Sequence, residues 1–212
     1  MSTGLWRRLC PADYKTTEWS GGRTTQIAIA PEGADYARRD FLWRVSSATV
    51  ELEESDFTAL PDYRRLIATL EGEICLRHNG GAALRLPPLR VHAFDGADAT
   101  HSTGRCRDFN LMLRRDAAEG EMEILTPAEN ERELAGDPRG GEQLLFCVRG
   151  RCRAESGGDT ALLEPGDSLL TQAERPLTLR AEAEGLLLIR CRMRPLPEEN
   201  CWARLDFDAR MG

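Results

Sequence analysis

The sequence predicts an all-β protein built from two antiparallel jelly-roll barrels. Three observations favour this fold class: short apolar segments recur along most of the 212 residues, glycine- and proline-containing turns separate them, and the two halves echo each other. A strand of this kind alternates its side chains between two faces, so each apolar face needs a partner sheet to cover it.

The composition fits a globular protein and excludes several other classes. Hydrophobic residues make up 41% of the chain, which is too many for a disordered protein. No apolar run approaches the roughly 20 residues that a membrane-spanning helix needs, and the N-terminus lacks the apolar stretch of a secretory signal. We therefore expect a cytoplasmic protein with no membrane partner. The net charge of −7 disfavours nucleic acid as a partner, because phosphate binding needs clustered positive charge.

Alternating side chains predict the strands of the first half. The segment 41–51 places Trp43 and Val45 on one face and Arg44 and Ser46 on the other. Further strands are expected at residues 24–30, 91–94 and 108–114, and at residues 64–78, where the segment 71–73 interrupts the pattern. An Asn-Gly turn then precedes a short segment around residues 84–86.

The character changes at residues 116–139, which are acidic and interrupted by Pro127 and Pro138. We expect a connector here, with a short helix after Pro127. Strands then resume at 143–148, 151–155, 160–163, 168–171, 177–181 and 186–193. The tail after Pro195 carries Trp202 and Phe207 and is expected to pack back on the body. The predicted domains are residues 1–115, a connector at 116–140, and residues 141–212.

An internal duplication supports the two-barrel interpretation. When Gly72 is aligned with Gly150, a hairpin with paired glycines follows in each half, and Pro88 falls near the position of Pro165. The segment LLEPGDSLL at 162–170 resembles the turn common in cupin barrels, where glycine permits an unusual backbone and proline stiffens the turn.

Five ordered motifs in the first half resemble the HutD/Ves family of bicupins. They are WSGGRTTQI at 19–27, FLWRVSSATV at 41–50, FTALPDYRR at 57–65, FDG at 94–96 and DFNLM at 108–112. The resemblance implies a double-barrel cupin linked to histidine utilisation. It also implies a protein that binds a small histidine-pathway molecule and tunes the pathway rather than catalysing a step. Many relatives have glutamate where Gln26 stands.

Metal is the first cofactor to consider, because cupins often bind one through two histidines separated by one residue. This chain has His78, His92 and His101 and no such pair. We expect His78 to be solvated beside its hairpin and His92 to pack near Phe94, although the fold could still bring three ligands together. The seven cysteines form no Cys-x-x-Cys motif and are expected to be reduced thiols. No metal or other cofactor is therefore predicted.

Polar side chains on the inward strand faces predict a site for a small anionic metabolite. Arg44 would bind its carboxylate, with Ser46, Asn110 and Thr25 as neutral partners and His92 as a contact for an imidazole or second carboxylate. The competing interpretation is internal pairing, in which Asp108 or Glu51 satisfies Arg44 or Arg114. The residues expected to line the ligand site are Trp19, Gly22, Thr24, Thr25, Arg44, Ser46, His92, Asp108, Asn110, Met112 and Arg114.

These features predict a metal-free bicupin, monomeric or homodimeric, that binds a small carboxylate of histidine catabolism as a regulator or accessory protein, with no catalytic residue. Two alternatives remain at this stage. One is a metal-independent isomerase or hydrolase that uses His92 or Asp108 as a general acid or base. The other is a structural or protein-binding module, whose interior would be filled by side chains and whose surface would carry an exposed apolar patch.

Overall fold

The computed structural model describes residues 4–126, 131–182 and 184–197, and these residues form an all-β protein. The strands, β1 to β19 in chain order, assemble into four antiparallel sheets. Among the described residues, the helical structure consists of one 3-10 turn at Pro11–Asp13. None of these residues forms a helix long and apolar enough to cross a membrane. Trp202 and Phe207, expected to pack on the body, lie outside the described part of the chain.

Two of the sheets are formed by the first half of the chain. Sheet 1 contains, in spatial order, β2 (Lys15–Trp19), β3 (Gly22–Ala30), β4 (Trp43–Val50), β11 (Cys106–Arg114), β6 (Tyr63–Glu71) and β9 (His92–Asp95). Sheet 2 contains β5 (Glu54–Asp56), β10 (Thr100–Thr103), β7 (Ile74–His78) and β8 (Leu84–Leu86).

The other two sheets come mainly from the second half. Sheet 3 contains β1 (Trp6–Leu9), β17 (Ser168–Gln172), β14 (Glu142–Arg149), β19 (Leu187–Pro195) and β12 (Ala118–Leu125). Sheet 4 contains β13 (Glu131–Leu134), β18 (Leu177–Ala181), β15 (Cys152–Ser156) and β16 (Asp159–Leu163).

The sheets stack in the order 2, 1, 3, 4, and each adjacent pair shares an apolar layer. The central layer joins the halves: Phe109 and Leu111 of sheet 1 pack with Phe146 and Ile189 of sheet 3. The rings of Phe109 and Phe146 are 5.1 Å apart between centroids. Sheet 1 is therefore covered on both faces, by sheet 3 on one side and by sheet 2 on the other.

Strand pairing crosses the predicted domain boundaries in two places. Strand β1 pairs with β17, so residues 6–9 belong to sheet 3 rather than to the first half. The expected connector instead supplies β12 and β13 to sheets 3 and 4, and a strand begins at Glu131 where a helix was expected after Pro127. Backbone pairing to an existing sheet imposes this structure on acidic segments that carry little apolar alternation.

The predicted duplication appears at the crossings between large and small sheets. Gly72 separates β6 from β7, and Gly150 separates β14 from β15, with φ angles of 73° and 83°. A Cβ on Gly72 would lie 2.3 Å from the carbonyl oxygen of Arg105, and one on Gly150 would lie 3.0 Å from Cα of Leu186. Both turns therefore require glycine for the same reason, which is a positive φ with backbone packed against it.

The described cysteines are all free thiols. Cys147 and Cys191 are buried in the apolar layers as expected, whereas Cys75 is half-buried. Burial raises the pKa of Cys147 to about 11, so this thiol stays protonated and behaves as a small core residue.

The shared central layer leads to a prediction about stability. Phe109→Ala should lower the free energy of unfolding by about 3–5 kcal/mol, because it opens a cavity between the two halves. Leu52→Ala, at a side chain that is 43% exposed, is the matched control and should change it by less than about 0.5 kcal/mol. Urea unfolding followed by fluorescence would measure both, and the halves should unfold in one transition. Two separate transitions would contradict a common core.

Candidate ligand-binding site

The inner strands of sheet 1 divide their side chains between two faces, as the alternation predicts. The face toward sheet 3 is apolar and includes Trp43, Val45, Phe109, Leu111 and Leu113. The opposite face carries buried polar groups instead, among them Arg44, Ser46, Asp108 and Asn110. One face thus holds the halves together while the other faces a cavity.

The cavity has a volume of about 330 Å³, at the lower end of the range for small-molecule sites. Strands β4, β6 and β11 form its floor. Tyr36 covers it from the loop before β4, Phe57 from the segment after β5, and Trp19, 40% exposed, lies at the edge on β2. Of the residues expected at the site, those that line this cavity are Trp19, Thr24, Arg44, Ser46, Asp108, Asn110 and Met112.

Strand register arranges the floor in three rows. Arg44 and Arg65 both lie opposite Met112, on either side of it. The next row contains Ser46 opposite Asn110, and the third contains Asp108 between Ala48 and Thr69. The floor therefore runs from a cationic row through an amide to a carboxyl group.

Arg44 is buried and has only neutral partners. Its Nε donates to Oε1 of Gln26 at 2.9 Å, and its Nη1 donates to the hydroxyl of Ser46 at 3.0 Å. The ring of Tyr36 lies 4.5 Å from the guanidinium carbon. Burial lowers the pKa of Arg44 to about 10, so the side chain remains cationic at neutral pH.

Arg65 is the second buried cation, and sequence reasoning missed it. Its Nε has no hydrogen-bond partner, and its guanidinium carbon lies 4.9 Å from the ring of Phe57 and 5.1 Å from that of Phe94. Burial lowers the pKa of this guanidinium as well. Strand β6 is covered on both faces, so apolar alternation could not mark Arg65. Its position opposite Met112 and close to Arg44 indicates a role in the site, but this position is known only once the strand pairing is known.

Asp108 is a buried carboxyl group that forms no ion pair within 4.0 Å in the described residues. Its Oδ1 accepts the backbone N–H of Ala48 at 3.1 Å. Burial raises its pKa to about 6, against the lowering effect of this hydrogen bond and of Arg65 and Arg44. The internal pairing that competed with a ligand site, of Asp108 or Glu51 with Arg44 or Arg114, is therefore not formed among the described residues.

The remaining expected residues lie outside the cavity. Thr25 is on the opposite face of β3, where its hydroxyl lies 2.9 Å from that of Thr16, because alternation separates it from Thr24. Gly22 has φ 145°, and a Cβ there would lie 1.9 Å from the carbonyl oxygen of Thr49, so its role is close strand packing.

Arg114 is the last residue of β11 and lies on the same face as the cavity, but it does not line the cavity. It donates to the carbonyl oxygens of Arg39 and Phe41 and, at 3.0 Å, to the hydroxyl of Tyr63. These bonds fix the loop that carries Tyr36 over Arg44. Arg114 is thus a structural residue here, since backbone carbonyls and a phenol rather than a ligand satisfy its guanidinium.

The histidines are arranged differently from the expectation. His78 is not simply solvated: its Nε2 lies 2.9 Å from Nε2 of His92, and its Nδ1 lies 2.9 Å from the hydroxyl of Thr100. His92 stacks near Phe94, as expected, with centroids 5.8 Å apart, but it does not line the cavity. His101 pairs with Asp56 at the surface.

This arrangement does not fit a cupin metal centre. The Nε2 atoms of His78 and His92 lie 2.9 Å apart, and His101 pairs with Asp56 instead of joining them. No group of three or more histidine, cysteine, aspartate or glutamate side chains in the described part of the chain could hold a metal ion.

Comparison with known proteins adds the family. A family model described as HutD matches residues 11–189. The chain is similar to the structure of PA5104, a conserved protein of unknown function from Pseudomonas aeruginosa PAO1, at 28% identity and TM-score 0.79, over 89% of this chain and 98% of that chain. It is also similar to HutD from Pseudomonas fluorescens SBW25 at 20% identity and TM-score 0.70, over 91% of this chain and 100% of that chain.

A more distant likeness shows the fold alone. The bacterial pirin YhhW from Escherichia coli, solved with nickel(II), is similar at 11% identity and TM-score 0.64, over 91% of this chain and 100% of that chain. No curated protein matches the chain.

The histidine pair leads to a prediction about pH. Burial, followed by the charges of His78 and Arg90, lowers the pKa of His92, so the folded state disfavours protonated His92. Acid then favours the unfolded chain, and stability is lost as the pH falls through the ordinary histidine range. We expect His92→Gln to lose less stability than the wild type between about pH 7.5 and pH 5.5.

Urea unfolding at a series of pH values measures this difference. His101→Gln, which changes the surface histidine that pairs with Asp56, is the control and should not reproduce the effect. An identical pH profile for His92→Gln and the wild type would contradict the assignment.

Proposed function

This chain belongs to the HutD family, and we propose that it binds a small carboxylate of histidine catabolism in the cavity on sheet 1, as a regulator or accessory protein. The family relates the protein to histidine utilisation, and its fold neighbours are cupin-like. We further propose that sheets 1 and 2 form one cupin barrel and sheets 3 and 4 the other. We also propose that the protein is cytoplasmic and is a monomer or a homodimer. Its site would need no metal.

The observation that carries this proposal is the pair of buried guanidinium groups without an acidic partner. No carboxylate of the described residues lies within 4.0 Å of Arg44 or Arg65, and Nε of Arg65 is unpaired. A buried charge without a partner is costly, and planar guanidinium groups match the geometry of a carboxylate. A ligand carboxylate would supply the hydrogen bonds and the negative charge that the protein itself does not.

Gln26 contributes to this charge balance. As an amide it accepts the hydrogen bond from Arg44 without neutralising it, whereas a glutamate at the same position would form an internal ion pair. The cavity also argues against a purely structural module, whose interior would be filled by side chains. Here an open volume of about 330 Å³ remains, and Nε of Arg65 and Oδ1 of Asn110 in its lining have no partner.

The first test removes the positive charge. Arg65→Met should abolish the thermal shift given by formate and by urocanate, because the guanidinium that faces the cavity is lost. The same variant should be at least as stable as the wild type without ligand, since a buried unpaired charge is replaced by an apolar chain of similar length. For the wild type, a ligand at 100 times its Kd should add about 2.7 kcal/mol of stability.

Arg64→Met is the matched control, because the neighbouring arginine is exposed and points away from the cavity floor. Gln26→Glu should weaken binding without removing either arginine. If Arg65→Met keeps the full ligand response, the proposed carboxylate site is wrong.

The second test concerns pH. Protonation of Asp108 removes the negative charge that faces Arg44 and Arg65 in the cavity, so formate should bind more tightly as the pH falls from about 7.5 to 5.5. Formate itself stays ionised over this range. Asp108→Asn should bind formate more tightly at pH 7.5 and lose most of the pH dependence, as measured by calorimetric titration. An affinity that falls with pH in the wild type would contradict this account.

One observation favours a second candidate function. A cavity carboxyl group with a pKa raised to about 6 is typical of a general acid or base, so Asp108 could serve a metal-independent isomerase or hydrolase. His92 is a weaker candidate because it lies outside the cavity. Incubation with the same metabolites, followed by product analysis of the wild type and Asp108→Asn, distinguishes turnover from binding alone.

A further inference from the structure

Each row of the cavity floor contains a polar or charged side chain, and the charge changes from positive to negative along β11. Arg44 and Arg65 flank one end, Asn110 follows two residues further along β11, and Asp108 with its neighbour Thr69 lies at the other end. Since a strand rises about 3.3 Å per residue, the cationic row and the Asp108 row are about 13 Å apart at the backbone. The long arginine side chains shorten this distance inside the cavity.

Each of the three rows contains a buried polar atom that has no partner. They are Nε of Arg65, Oδ1 of Asn110 and Oγ1 of Thr69. The described residues contain four such atoms, and the fourth, on Thr171, lies in sheet 3. Because buried polar groups are almost always hydrogen-bonded, the two unpaired atoms that line the cavity, on Arg65 and Asn110, indicate where a ligand makes its bonds. Thr69 lies beside Asp108 in the strand register but is not part of the cavity lining.

The two ends require opposite chemistry. The arginine end offers only N–H donors, so it needs an anion. Toward the other end, Oδ1 of Asn110 in the middle row is free to accept a hydrogen bond, and the Asp108 carboxylate receives one backbone N–H although it can accept about four hydrogen bonds. That end therefore needs a group that donates.

We propose that the ligand is amphoteric, with a carboxylate held by Arg44 and Arg65 and, a few bonds away, an N–H-bearing group such as an imidazole, amidine or ammonium held by Asp108 and Asn110. This inference rests on the proposed carboxylate-binding function and narrows its ligand class. A one-carbon acid such as formate satisfies only the arginine end. Asp108 is then a residue that determines specificity, because it selects for the donor group and against a second carboxylate.

Two probes of similar size separate these requirements. 3-(Imidazol-4-yl)propionate and 3-(thiophen-3-yl)propionate share the carboxylate, the linker and a five-membered aromatic ring, and only the first has a ring N–H. Calorimetric titration of the full chain at pH 7.5 should show about tenfold tighter binding of the imidazole acid, the effect of one hydrogen bond to a charged group. In Asp108→Asn this preference should shrink to about threefold or less, while formate binding is retained or strengthened.

Asp56→Asn is the matched control. It makes the same change of charge at the rim of the same cavity, on a carboxylate that is exposed and pairs with His101, so the preference should persist. If Asp108→Asn does not fold, the ratio of the two probes on the wild type is still decisive.

The outcomes distinguish this inference from the proposed function. Equal affinity for both probes, or binding of formate with neither probe, overturns the amphoteric ligand and leaves the carboxylate site intact. Binding of none of the three overturns the carboxylate site itself. A tenfold preference that Asp108→Asn does not reduce assigns the donor recognition to another residue and also overturns the inference.

Discussion

Burial of both faces of sheet 1 is the constraint on which the rest of this structure depends. One face must be apolar, because it forms the common layer with sheet 3 that joins the two halves. Only the opposite face is then available for a binding site. On that face the sheet positions two guanidinium groups, an amide and a carboxyl group, all of them buried. Rigid paired strands on an apolar layer hold these groups in fixed register, which is what a specific small-molecule site requires.

The second half shows what happens when the same kind of arginine is satisfied internally. Nε of Arg190 donates to Oε1 of Gln143 at 2.9 Å, as Arg44 does to Gln26, and its Nη2 donates to the carbonyl oxygen of Ala135 at 3.2 Å. Each half thus contains a buried arginine that donates to a glutamine, although the two pairs lie on strands that do not correspond in the Gly72–Gly150 alignment. The halves differ in the second cation, since Arg65 of the first half has an unpaired Nε. Among the described residues, the unpaired buried arginine nitrogen is therefore in the first half, where the candidate site lies.

Much of the fold was accessible from the sequence. The alternation at 41–51 and 108–114 correctly assigned both faces of β4 and β11, and Gly72 and Gly150 marked equivalent turns. Edge strands were missed: β2 is exposed along its whole length and so carries no apolar pattern, and β12 was interpreted as part of a connector. Their structure comes from backbone pairing to a neighbour, which leaves little trace in side-chain type.

The sequence by itself determined the all-β class, the family resemblance and the polar face that contains Arg44, Ser46, Asp108 and Asn110, because these follow from strand periodicity and local motifs. Only the tertiary structure decided which polar residues meet. It brought Arg65 beside the Arg44–Met112 pair, turned Arg114 toward backbone carbonyls and set His78 against His92. Those outcomes depend on strand register and on loops packed from distant segments, and neither is encoded in the spacing of residues along one strand.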